Sequence, residues 1–257
     1  MITSLRRELR RAARIAGFGA LTGAMLPGFV AHEALSTPGD RDRVRQRWVA
    51  LWSDALLKIF GVRVLDDVVH PPPVRGRLVV ANHRSTADIL VLLRSFGGGR
   101  IVSRADLARW PLIGPAARAV GTVFVARGDA MSGATTVRVI RSQLSAGATI
   151  IVFPEGTTFP DDEVRPFHAG AFVAALHSGA EILPVGLAYA SGSGAAFVGE
   201  SFPAHLARMA AANPSSVAMR VGAPIPVGEG ARAAGLRDRA HGDVQGLVAA
   251  ARRAVDA

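Results

Sequence analysis

Leu78-Val79-Val80-Ala81-Asn82-His83-Arg84-Ser85-Thr86-Ala87-Asp88 is the stretch on which the fold turns. The apolar run ending at Ala81 reads as a buried strand, the polar residues from Asn82 break it, and residues 87–93 resume with helical patterning. A strand handing over to a helix through a short polar turn is the repeating unit of an α/β sheet. The alternation extends outward, with apolar runs at 121–125, 148–153 and 182–189 and, between them, a helical pattern carrying Val137, Ile140 and Leu144. Beyond these, residues 191–194 read as a loop, 216–221 as a strand and 231–257 as a closing helix rich in alanine and arginine. The spacing predicts an α/β fold whose mixed, largely parallel sheet is flanked by helices.

A chain of 257 residues supports one generous α/β core with a short appendage. Hydrophobic residues make up 49% against 19% charged, and the mean hydropathy is +0.28, which excludes a disordered chain and points to contact with lipid. The absence of cysteine excludes disulfides, thiolate zinc sites and a cysteine nucleophile together. The net charge of +10 calls for an acidic partner, and its placement selects among the candidates. The first 50 residues hold nine arginines against four acids, which is half of the excess. With aromatics at 6% and no zinc-finger, RRM or helix-turn-helix pattern, an anionic membrane surface is the better reading and no nucleic-acid partner is expected.

A basic run from Arg6 to Arg14 precedes an uncharged stretch at 15–31 that contains Pro27 and several glycines. As a helix that stretch reaches about 25 Å, short of a hydrocarbon core of roughly 30 Å. No small-residue cleavage site follows it, which argues against a signal peptide. A span would also place Arg6–Arg14 and Arg41–Arg47 on opposite sides of the membrane. An interfacial or re-entrant helix keeps both flanks on the cytoplasmic face with the arginines on headgroups. Residues 41–60 read as a connecting helix with one apolar face. Residues 1–60 are therefore expected to form a membrane-associating helical segment, and 61–257 the α/β domain.

No nucleophile elbow, Walker loop, paired-histidine zinc motif or dinucleotide fingerprint is present. His83 stands where a strand ends and a helix begins, with Asp88 five residues on. On one continuous helix the two would point about 140° apart, but they can meet if His83 lies in the turn and Asp88 in the first helical turn. Asp88 would then fix the imidazole tautomer and leave the other nitrogen as a base. Equally, Ser85 and Asp88 form the Ser-x-x-Asp pattern of a capping box, in which His83 is a bystander. A second patch, Phe153-Pro154-Glu155-Gly156-Thr157-Thr158, is an acidic, hydroxyl-rich turn at a strand end, where α/β sheets bind ligands. A third, running from Gly121, delivers Arg127 at the end of a strand. A metal site on His83, Asp88 and His168 would lack the usual closely spaced ligand pair.

Taken together, these patches resemble the membrane-associated glycerolipid acyltransferases of the 1-acyl-sn-glycerol-3-phosphate acyltransferase (lysophospholipid acyltransferase) family. Asn82, His83 and Asp88 match its Asn-His-x4-Asp block. Gly121, Phe124 and Arg127 match the second block, Phe153 to Thr157 the Phe-Pro-Glu-Gly-Thr block, and Ile182-Leu183-Pro184 the proline-bearing strand. The resemblance covers roughly residues 77–190.

It implies an O-acyltransferase that moves a fatty acyl chain from acyl-CoA or acyl carrier protein to the free hydroxyl of a lysophospholipid. The acceptor it implies is foremost 1-acyl-glycerol-3-phosphate, with another lyso-lipid such as lyso-ornithine lipid as the alternative. A non-catalytic lipid-binding protein on the same scaffold is the rival of another class. On the family pattern His83 is the base and Asp88 its orienting partner, with Arg127, Glu155, Gly156, Thr157, Thr158 and Pro184 binding substrate and no cofactor or metal required. Glu155 is expected to pair with Arg127 or to hydrogen-bond a hydroxyl, since it would otherwise repel a phosphate. The chain departs from the pattern at Thr158, where the block usually continues with Arg, so a bidentate phosphate contact is lost. Ala126 stands where Asp is common, and His168 where a Lys or Arg is usual.

Overall fold

The computed structural model describes residues 2–65, 75–97, 99–111, 113–125 and 130–257. Its strands are β1 (Val62–Leu65), β2 (Arg77–Ala81), β3 (Arg100–Arg104), β4 (Val123–Val125), β5 (Thr149–Val152), β6 (Glu181–Tyr189) and β7 (Ser215–Val221). Its helices are α1 (Ile2–Leu35), α2 (Arg41–Phe60), α3 (Ala87–Ser95), α4 (Ile113–Ala119), α5 (Ala130–Ser145), α6 (Gly170–Ser178), α7 (Phe202–Ala211) and α8 (Ala233–Val255). The strands form one sheet in the order β1-β7-β6-β2-β5-β3-β4, parallel throughout except between β6 and β7. The fold is α/β with a mixed, largely parallel sheet, as the alternation predicts.

Alternation along the strands builds two cores. Val79, Ala81, Ile151, Leu183 and Leu187 face the side covered by α2, α3 and α7, where they meet Leu57, Val91 and Met209. Leu78, Val80, Ile150, Val152 and Ile182 face α5, α6 and α8, where they meet Leu144, Phe172 and Val244. Because both faces are covered, the central strands are continuously apolar. Helix α8 buries Leu236, Ala240, Val244, Val248 and Ala251, a stripe at helical spacing. It crosses β6 so closely at Gly186 that a Cβ there would lie 2.4 Å from the Leu247 backbone.

In register, Val80 pairs with both Val152 and Pro184, so β2, β5 and β6 run to the same edge of the sheet. The turns carrying His83 and Glu155 therefore leave the sheet side by side. Strands β1 and β3 are not legible in the sequence: at four and five residues with arginines interspersed, their periodic pattern is too short to read.

The amino-terminal segment is helical, as expected, but its first helix is not confined to the uncharged stretch. Helix α1 is continuous over 34 residues, includes the basic run, and passes through Pro27, forgoing the one backbone bond that proline cannot donate. It folds back antiparallel on α2: Gly17 lies against Ile59, Trp52 Nε1 donates to Thr22 Oγ1 at 3.1 Å, and Gly28 lies against Trp48. Nor is the whole basic run turned outward. Arg14 is buried and donates to the carbonyl of Ala212 at 2.7 Å, and Arg10 donates to Asn213 Oδ1 at 2.6 Å, so both cap the carboxyl end of α7. Burial, with Arg10 nearby, holds the Arg14 guanidinium below its ordinary pKa. Arg6, Arg7 and Arg11 stay exposed beside Leu5, Leu9 and Ile15.

Candidate active site

Asn82 opens the turn after β2. Its side-chain amide donates to the Leu187 carbonyl at 2.9 Å and accepts from the Leu187 N–H at 2.8 Å. The amide thus stands in for one more residue of the β2–β6 ladder, which frees the backbone to turn away at His83. Asparagine fits because one planar group carries both donor and acceptor.

His83 and Asp88 meet. Nδ1 lies 2.9 Å from Asp88 Oδ2, with the histidine side chain 17% exposed and the aspartate fully buried. The same Oδ2 accepts from the backbone N–H of Arg84 at 2.6 Å and of Ser85 at 2.8 Å. One carboxylate therefore both accepts from the backbone at the helix start and holds the imidazole, so His83 is not a bystander to it. Asp88 only accepts, so the Nδ1 proton points at it and the Nε2 lone pair faces away. The imidazole also stacks on Phe153, with ring centroids 3.9 Å apart and planes 12° apart, which fixes its plane.

Among the described residues, Glu155 is held by groups of the neighbouring turns. Oε1 accepts from His83 N at 2.8 Å and from Arg84 Nη1 at 2.9 Å, and Oε2 accepts from Arg165 N at 3.0 Å. Arg84 is buried, and its Nη2 donates to the Glu163 carbonyl at 2.9 Å. The pair is a clasp between the turns after β2 and β5, reinforced by Phe159 N donating to the His83 carbonyl at 3.0 Å. Gly156 sits at φ +79°, and a Cβ there would fall 2.9 Å from the His168 ring. Thr157 is exposed and Thr158 half-buried on the outer side of this turn. Pro184 is not brought to the cluster: it lies within β6, paired with Val80, its ring against Gly222. Arg127 lies outside the described residues.

Thr86 and Ala87, next along the turn, line an apolar cavity of about 190 Å³ between α1, α2, α3 and α7. Phe18, Trp52, Leu90 and Leu206 supply walls from the four helices. Among the described residues no group of three or more His, Asp or Glu could hold a metal ion.

A family model described as Acyltransferase matches residues 67–188. The lyso-ornithine lipid O-acyltransferase of Pseudomonas aeruginosa is 33% identical over 227 residues, spanning 86% of this chain and 85% of that protein. The chain belongs to the acyltransferase family. A 1-acyl-sn-glycerol-3-phosphate acyltransferase of Neisseria meningitidis is 28% identical over 184 residues, 71% of this acyltransferase and 68% of its relative. The crystal structure of the 1-acyl-sn-glycerophosphate acyltransferase PlsC from Thermotoga maritima shares the fold. It superposes with a TM-score of 0.75 at 21% identity, covering 95% of this chain and 97% of that one.

Three residues of this acyltransferase's site escape a motif reading. Arg84 looks like a surface charge until its carboxylate partner, 71 positions away, is seen. Tyr189 donates to Asp88 Oδ1 at 2.6 Å from the far end of β6. Burial and the adjacent carboxylate push its phenol well above the ordinary tyrosine range. His205 of α7 packs under the same turn, its Nε2 accepting from Thr86 N at 3.4 Å and its Nδ1 held 3.0 Å from Glu200 Oε1. Burial lowers the pKa of His205. The Arg208 hydrogen bond, then that from His205, brings Glu200 to about 2.

Proposed function

We propose that this acyltransferase moves a fatty acyl chain from an acyl thioester, acyl-CoA or acyl carrier protein, to the hydroxyl of a lyso-lipid, with His83 as general base. The observation that carries this reading is the His83–Asp88 pair, its Nε2 unengaged among the described residues and its turn continuing into the wall of an apolar cavity. Nε2 takes the hydroxyl proton as the oxygen attacks the thioester carbonyl. The C–S bond then breaks, and the imidazolium returns the proton to the departing thiolate. The apolar cavity receives an acyl chain. No acyl-enzyme and no cofactor enters this scheme.

Gly156, Thr157 and Thr158 contact the acceptor together with Arg127, while Glu155 acts through the clasp. We assign the acceptor to the lyso-ornithine lipid class. Arg84 is already neutralised by Glu155, and Thr158 offers one hydrogen bond in place of a permanent cation, an arrangement suited to a headgroup with a carboxylate and an ammonium and no phosphate. The relative from Pseudomonas aeruginosa, matched over most of both chains, supports the same choice. Lysophosphatidate is the second reading, favoured by Arg127 and by the Neisseria relative. Residues 1–60 hold the protein on the cytoplasmic face of a membrane through Leu5, Leu9, Leu35 and Leu51, exposed on α1 and α2, and through Arg6, Arg7 and Arg11 on anionic lipid.

The test offers labelled acyl-CoA and acyl carrier protein to the detergent-solubilised protein with lyso-ornithine lipid and lysophosphatidate side by side. Preferred acylation of lyso-ornithine lipid is expected. Preference for lysophosphatidate overturns the acceptor assignment, and binding of lyso-lipid without transfer overturns the catalytic one.

A further inference from the structure

Asp88 is fully buried, so both of its oxygens must be satisfied inside the protein. Oδ2 is occupied by His83 Nδ1 and by the N–H groups of Arg84 and Ser85, whereas Oδ1 takes the Tyr189 phenol at 2.6 Å. Tyr189 closes β6, its backbone in register with Val217 and its carbonyl bound by Arg252 Nη1 at 2.6 Å, so the sheet fixes where the phenol points. Packing alone asks for no hydroxyl there, since phenylalanine would fill the same place among Leu187, Val217 and Met219.

We propose that Tyr189 is a positioning residue of the acyl transfer: its phenol, seated on Asp88 Oδ1, holds the carboxylate that orients His83 and sets the pH at which the imidazole is free to take the acceptor's proton. The proposal rests on the reading of His83 as the base. The phenol draws part of the carboxylate charge toward itself, and without it more of that charge faces the imidazole and favours the protonated ring. Deleting the hydroxyl therefore moves the acid limb of the rate profile to higher pH. Among the described residues, the other ionisable groups around the pair are Arg84 and Glu155, which neutralise each other, His168 against Gly156, and His205 with Glu200 and Arg208 behind Ser85 and Thr86.

Tyr189 is the only tyrosine in the chain, so isotope or fluorine labelling of tyrosine reports on this one phenol. The experiment follows the single ¹³Cζ resonance of Tyr189 against pH in the wild type and in His83→Asn, and records pH profiles of kcat and KM for wild type, Tyr189→Phe and protein made with 3-fluorotyrosine. The resonance is expected to titrate in the wild type and to stay still in His83→Asn. Tyr189→Phe is expected to lose about tenfold in kcat with acceptor KM unchanged and to move the acid limb up by about one pH unit, the scale of one hydrogen bond to a buried charge. Fluorotyrosine, a stronger donor, moves the limb the other way and covers the case in which the phenylalanine variant fails to fold. Profiles that superimpose, or a resonance indifferent to His83, overturn the proposal. Retained activity in His83→Asn is a separate failure, that of the base reading itself.

Discussion

Cutting one side of the Arg84–Glu155 clasp leaves a charge where water cannot reach it. The Glu155 side chain is fully buried and that of Arg84 is 2% exposed, and they meet at 2.9 Å. In Arg84→Met the carboxylate keeps its bonds from His83 N and Arg165 N but loses its only counter-charge within hydrogen-bonding distance among the described residues. Removing one partner of such a pair costs about 3–5 kcal/mol, while replacing both by apolar groups is often close to neutral. For a domain of this size 1 kcal/mol moves the melting temperature by about 2–4 °C, so Arg84→Met should lower it by roughly 6–20 °C. Glu155→Met should cost a similar amount, and the double variant should recover most of the loss. Because the clasp also positions His83 N, the double variant should fold yet transfer acyl groups more slowly than the wild type. The assay is thermal unfolding of the detergent-solubilised variants by circular dichroism, with acyl transfer measured alongside. Single variants each costing under 1 kcal/mol, with effects that simply add, would refute the reasoning.

Three further outcomes follow from other parts of the structure. Asn82→Ala strands the N–H and C=O of Leu187 inside the sheet and should destabilise by about 1–3 kcal/mol per abandoned group, read in the same melts. Thr158→Arg restores a cation to the acceptor turn and should raise kcat/KM for lysophosphatidate relative to lyso-ornithine lipid; an unchanged ratio would remove Thr158 from the specificity argument. Stability should fall on acidification in two windows. His205 has a lowered pKa, so the unfolded chain binds its proton more readily and stability is lost as pH falls below about 6.5, a loss that His205→Gln should abolish. Glu200 is depressed to about 2, so its contribution is whole above about pH 4.5 and drains away as pH falls toward 2. Melting temperatures that stay flat from pH 7 to 5 would contradict the first window.

The central strands and the His83 turn are legible in the sequence because each is set by local chemistry: β-branched runs, a polar break, an acidic first turn. The Phe153–Thr158 turn is legible for the same reason. What the sequence conceals is long-range. Arg84 and Glu155 find each other across 71 positions and Asp88 and Tyr189 across 101, and no spacing rule couples such residues before the sheet brings their strand ends together. Arg10 and Arg14 escape the reading of the basic run in the same way, since facing α7 or facing solvent is decided by packing that the sequence does not announce. Pro184 shows the converse, a motif residue whose neighbours lie inside the sheet, away from the turn that its motif suggests it serves.

The most direct test of the account is single-turnover acyl transfer from labelled acyl-CoA to the preferred lyso-lipid by the wild type and by His83→Gln, with melting temperatures recorded on the same samples. General-base assistance is worth about 10²–10⁴-fold, so His83→Gln should be slower by that factor while melting within a few degrees of the wild type. A variant that melts normally and keeps its rate within a fewfold of wild type would contradict the assignment of His83 as the base.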